Sequence, residues 1–223
     1  MSPLLCFHII LGATGLLAGI APLVLTKGTK LHTGLGLLFT LTMLLTGGTA
    51  LILTNADPRN LLTPLAILTL NQVLIGHTAL YAKMNKFASI ISKLTLVATV
   101  VFFAYSMSVV WPLLAQGNIV GIVTMVVAGG LIPLSIQDAR HLFGNNSRKL
   151  SVRIHASRMI GTYLAATIAF LVNAVTTGWI SIVIPSFVGI GLIVYWATRI
   201  SKRGLKGMTL GNLRFAPKVK VPL

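Results

Sequence analysis

"RIHASRMIGTYLAATIAF", residues 153–170, sets Arg153, His155 and Arg158 directly against a long run of apolar side chains. A helix needs roughly 20 such residues to cross the hydrocarbon of a bilayer. Outward from this stretch the chain holds seven runs of that kind, at 3–25, 33–54, 61–82, 94–115, 119–137, 156–177 and 180–199. The breaks between them carry turn chemistry or charge: "TKGTK", "NADPRN", "KMNK", "AQGN", "DARHLFGNNSRKLSVR" and "TTGW". The runs are continuously apolar and too long for barrel strands, which alternate with period two. The expectation is an all-α polytopic membrane protein: a bundle of seven transmembrane helices over 1–200 and a basic tail over 201–223.

Composition excludes the soluble classes. Charged residues make up 9% of the 223 and hydrophobic ones 55%, with a mean hydropathy of +0.91. A soluble domain carries about 25% charged residues, so this chain has too few to build a water-facing surface. A formal charge of +16 in a soluble protein would point to nucleic acid. Here the apolar runs override that, and the expected partners are the bilayer and, at the basic tail, anionic lipid. Cys6 is the single cysteine, so no intrachain disulfide forms. The start "MSPLLCFHII" lacks the basic segment of a cleavable signal.

Placement of the charges sets an orientation. Of the eighteen Lys and Arg, only Arg59, beside Asp57, falls in the breaks after runs two, four and six; the other seventeen fall on the opposite side. By the positive-inside rule the N-terminus lies outside and the C-terminus inside, as a multi-pass protein of a cell's inner membrane. Trp111 and Trp179 then mark outer ends and Trp196 an inner end, where amphipathic rings favour the headgroups. Small residues at Gly15, Gly19, Gly34, Gly36, Gly47, Gly48, Gly129, Gly130, Gly189 and Gly191 are expected to let helices approach closely.

"HIILGATGLLAGIAPLVLTKGTKLHTGLGLLFTLTML", followed much later by "DARHLFGNN" and "RIHASRMIGTYLAATIAFLVNA", resembles a group of bacterial predicted membrane proteins of seven or eight helices and unknown function. The shared pattern falls on His8, on Lys27, Gly28 and His32, on Asp138 and Arg140, and on His155, Arg158 and Met159. The resemblance implies a compact helical membrane fold and a site pattern, without an activity.

Ionisable groups inside spans are costly, and so are candidates for function. At about 1.5 Å of rise per residue, His32 and His155 each lie about 3 Å from a flanking cation, Lys30 or Arg153, and His77 about 9 Å from Lys83. Three histidines therefore belong to the inner level, while His8, about 28 Å from Lys27, belongs to the outer half, where Met125 is at comparable depth. Asp138, the one acid on the inner side, is expected to neutralise Arg158. Neutral imidazoles from facing helices suit a transition metal or haem iron, with His32 and His155 as ligands, His77 as a further contact and Arg158 near an anionic group of the cofactor. Asn71, Gln72 and Asn173 either bond between helices or line a polar path. Without HExxH, a phosphate loop or a serine triad, no catalytic residues and no enzymatic activity are assigned. A redox or cofactor-binding protein stands first; a small proton-coupled transporter and a non-catalytic scaffold or assembly factor stand as alternatives.

On this topology a reporter fused after Leu223 is cytoplasmic, and a cysteine introduced at Asn118 reacts with an impermeant thiol reagent from outside, above the signal of native Cys6. Reversed labelling at both sites would overturn the seven-span arrangement.

Overall fold

The computed structural model describes residues 2–60, 62–144, 148–174 and 180–203; Trp179 and the tail beyond Arg203 lie outside the described residues. The described residues form seven α-helices and no strand: α1 Pro3–Val24, α2 Lys30–Leu53, α3 Leu62–Thr78, α4 Lys86–Ala115, α5 Ile119–Phe143, α6 Arg148–Ala174 and α7 Ile180–Arg203.

The breaks supply the caps that start the helices. Thr29 of "TKGTK" accepts from His32 N at 3.2 Å, Asn85 of "KMNK" from Phe87 N at 2.9 Å, and Asn118 of "AQGN" from Val120 N at 2.9 Å. Each satisfies one of the four backbone donors that a helix start leaves unpaired. Gly28 and Gly117, at φ +82° and +70°, make the turns before α2 and α5, a backbone region that costs glycine nothing.

Helix ends differ from the apolar runs. α4 begins at Lys86, eight residues before its run, while α5 reaches Phe143 and α6 begins at Arg148. Most of the polar stretch expected to be a break is therefore helical. Hydropathy marks where a chain meets hydrocarbon, whereas a helix continues until its hydrogen bonds are capped, and Lys and Arg stems extend it into the headgroup layer. His155 and Arg158 are consequently the eighth and eleventh residues of α6 rather than its start.

Among the described residues four helices, α1, α2, α4 and α5, are long and apolar enough to cross a membrane. Large apolar side chains point outward along the bundle: Leu17 is 73% exposed, Val24 79% and Phe187 75%. An apolar exterior around a polar interior is the signature of a membrane-embedded protein.

α3 stands at the centre and packs against α2, α4, α5 and α6. Its buried residues, among them Leu65, Thr69, Asn71, Gln72, Val73 and Gly76, cover every face of the helix. Surrounded by protein, it needs no lipid-facing apolar stripe, which is why it carries amides at mid-length. Ala18, Phe39, Met43 and Val73 form one core cluster with Met159 and Tyr163, and Phe103 and Leu131 form another beside Ile67 and Leu68.

Glycine sets the closest contacts. A Cβ at Gly76 would lie 2.9 Å from Arg158 Cβ, one at Gly161 2.5 Å from the Gln72 amide, and one at Gly19 2.7 Å from the Tyr163 ring. Gly15, Gly47 and Gly189 are similarly tight, but Gly34, Gly36, Gly48, Gly129, Gly130 and Gly191 meet nothing within 4 Å. Close packing thus accounts for only some of the glycines expected to supply it.

Gly121 tests the α4–α5 hairpin, since an added Cβ would fall 2.5 Å from Leu114 N, a backbone atom that cannot step aside. Gly121→Ala should lower the melting temperature in detergent, by the equivalent of about 1–3 kcal/mol for an overpacked site. Gly129→Ala, facing open space, should not lower it. Equal melting of both variants and parent would show that the hairpin is not packed this way.

Candidate functional site

His32 of α2, His77 of α3 and His155 of α6 line one cavity of about 320 Å³, walled by α1, α2, α3 and α6 and bordered by Trp196 of α7. Depth alone placed these imidazoles at one level; packing of α3 on α6 and of α2 on α3 turns them toward one space. Most of the wall is apolar, including Leu37, Phe39, Met159 and Ile160. Among the described residues no carboxylate lines it.

His155 is held in a defined state. Its Nδ1 lies 2.8 Å from the carbonyl oxygen of Gly76. A carbonyl can only accept, so in the neutral ring Nδ1 carries the proton and Nε2 keeps its lone pair. Histidines that bind metals are oriented in this way, by donating the far N–H to a backbone carbonyl. Gly76 makes the contact possible, because it lets α3 sit against Arg158 and Met159. Nδ1 of His32 is buried with no hydrogen-bond partner, a costly state for an imidazole nitrogen facing an apolar wall. The His77 ring lies 5.9 Å from that of Tyr81, which also borders the cavity.

The cavity's cation is Lys27. Its ammonium donates to the carbonyls of Pro22 and, at 2.9 Å, Leu23, so it caps the end of α1. It also sits 4.5 Å from the centroid of the Trp196 ring. Burial, and next the charge of Arg199, lower its pKa below that of an ordinary lysine.

Arg158 faces elsewhere. Expected beside a bound anion, it is absent from the cavity wall and points from α6 to α5, where Nη2 donates to Asp138 Oδ1 at 2.6 Å and to Leu134 O at 2.8 Å. Both partners are fully enclosed, at 0% and 1% side-chain exposure. Nη1 and Nε of the arginine and Oδ2 of the aspartate have no partner. His8 lies apart from all of these, its Nδ1 2.9 Å from the Thr49 hydroxyl of α2. Asn71 donates to Thr99 of α4 at 3.0 Å, and Asn173 folds back on Ala169 O at 2.7 Å.

One residue escaped the reading of the sequence. His141, one turn beyond Asp138, is 2% exposed and donates through Nε2 to Ala79 O at 3.3 Å. Its i+3 spacing from the only inner acid was the available signal. Lys27 belonged to the pattern of the resemblance without a role assigned to it, and nothing in its local sequence shows that it folds over Trp196.

Among the described residues no group of three or more His, Cys, Asp or Glu stands together as a metal site. A haem asks less: one or two imidazoles for the iron, an apolar slot for the ring and a cation near its carboxylates. The cavity has those residue types. No family model, curated protein or solved structure matches the chain.

Removing one partner from a buried ion pair typically costs about 3–5 kcal/mol, because the other charge is left without compensation. Asp138→Asn and Arg158→Gln should each lower thermal stability in detergent by an amount of that order. The double variant should be less destabilised than the two singles summed. Additive losses, or none, would show that the two groups act separately.

Proposed function

We propose that this chain is a seven-span protein of the inner membrane, N-terminus outside and C-terminus inside, that holds a haem-like cofactor near the cytoplasmic side. It would belong with the bacterial membrane proteins of unknown function whose histidine pattern it resembles. One observation carries the cofactor reading: His155, with Nδ1–H tied to the Gly76 carbonyl, keeps a free Nε2 lone pair in a cavity shared with His32 and His77.

Such a cofactor would supply one-electron chemistry that no side chain here provides. The protein's part is to bind and tune it. His155, through Nε2, and His32 would hold the iron, with His77 beside them in the same cavity. The apolar wall excludes water and so raises the cost of any charge change at the iron. Lys27 supplies positive charge toward the carboxylates. A bare transition metal on His32 and His155 is the smaller version of the same site.

A proton-coupled carrier is the second reading, supported by the enclosed Asp138–Arg158 pair. An intramembrane ion pair is costly enough to imply use. A scaffold role draws support from neither site.

Bound haem and metal per protein, with the absorption spectrum of the purified full chain, separate these readings. The parent should show a Soret band; His155→Gln and His32→Gln should lose or weaken it while eluting as folded protein, and His8→Gln should keep it. A colourless, metal-free parent, or equal occupancy in all three variants, would remove the shared-site reading.

A further inference from the structure

A second set of buried polar groups lies on α3, α4, α5 and α6, outside the wall of the histidine cavity. Most hydroxyls in these helices satisfy themselves by donating to a carbonyl one turn back, as Thr40, Thr46, Thr69, Thr95 and Thr162 do. A few do not. Thr63 Oγ1, Ser106 Oγ, Thr124 Oγ1 and Asn71 Oδ1 are buried without a partner, in residues at most 2% exposed. Asp138 Oδ2, His141 Nδ1 and Arg158 Nε and Nη1 are in the same condition.

These residues are spread along the depth of the bundle. Thr63 opens α3, Ser106 is nine residues before the end of α4, and Thr124 is the sixth residue of α5, all toward the end that holds the α4–α5 turn. Asn71, about 12 Å further along α3, stands near the middle. Asp138, His141 and Arg158 lie toward the opposite end. α3 contacts α4, α5 and α6, and hydrogen bonds already join Asn71 to Thr99 and Arg158 to Asp138. In hydrocarbon each unpaired group costs several kcal/mol, and only water or another such group can supply partners here.

We propose that this seam is a proton-conducting path through α3, α4, α5 and α6, with Asp138 as its proton-binding group. Water hydrogen-bonded to Thr124, Ser106 and Asn71 passes the proton inward. Asp138 takes it up on Oδ2 as an O–H bond, which removes its charge from the pair with Arg158. The proton then leaves to water beside His141, the carboxylate re-forms and the pair closes. No bond other than O–H changes and no oxidant is needed. The charged or titratable groups bearing on Asp138 are Arg158 from α6 and His141 from its own helix, with Lys83 acting on His141.

The path is independent of any ligand in the cavity, so loss of haem binding would leave it standing. The full chain is reconstituted in liposomes with a trapped pH dye, and a valinomycin-set potassium potential, negative inside, draws protons in. Acidification should run several-fold faster than in protein-free liposomes. It should fall to the protein-free rate in Asp138→Asn and in Thr124→Val, a near-isosteric change far from the ion pair. Thr46→Val, whose hydroxyl lies outside the seam, should keep the parent's rate. Each variant is checked by size exclusion before reconstitution. A parent no faster than empty liposomes, or a folded Thr124→Val that conducts like the parent, would overturn the path.

Discussion

The close approach of α3 to α6 is the contact on which the rest depends. Gly76 and Gly161 remove the side chains that would hold the two helices apart. At that separation the Gly76 carbonyl meets the His155 imidazole, and Arg158 is left with room only toward α5. A wider gap would cost both. Two polar systems on opposite sides of α6 therefore share one packing constraint.

Scarcity of acid explains why the polar interior divides as it does. The chain has two carboxylates, and one of them, Asp57, lies in the α2–α3 connection. Asp138 is thus the single carboxylate among the packed helices, and Arg158 takes it. An enclosed ion pair is weak support for stability, since desolvation offsets much of the attraction and an apolar replacement is often as stable. Keeping it in a bundle otherwise held by Leu, Ile, Val and Phe needs another reason, which the proposed proton path would supply. The histidine cavity sets imidazoles, phenols, the hydroxyls of Thr33 and Thr40 and the cation Lys27 against an apolar wall, and that balance suits a largely apolar ligand carrying negative charge.

Much of the candidate site was legible because a helix converts position into depth at a constant rise. His32, His77 and His155 could be ranked at one level by counting from the nearest Lys or Arg. Direction around each helix could not be counted in the same way. Arg158, three residues after His155, was expected near the same ligand; in the fold the long side chain reaches a different helix. His141 was overlooked because one histidine among Arg, Leu and Phe reads as a flank, and its burial depends on Ala79 lying opposite.

Continuous apolar runs and one-sided charge were enough to set helices, membrane and expected orientation, because hydrocarbon punishes any unpaired backbone group and leaves a long apolar chain little choice but helix. The limits of those helices, however, followed caps rather than hydropathy, as α4 and α6 show. Which helix stood in the centre was decided only by tertiary packing. α3 is short and polar enough to look like the weakest of the seven, and in the fold α2, α4, α5 and α6 pack around it and keep its amides out of lipid. The same packing chose which glycines matter and turned three imidazoles into one cavity, since contact across helices depends on azimuth and on the neighbour's shape, and neither is written in a local stretch of chain.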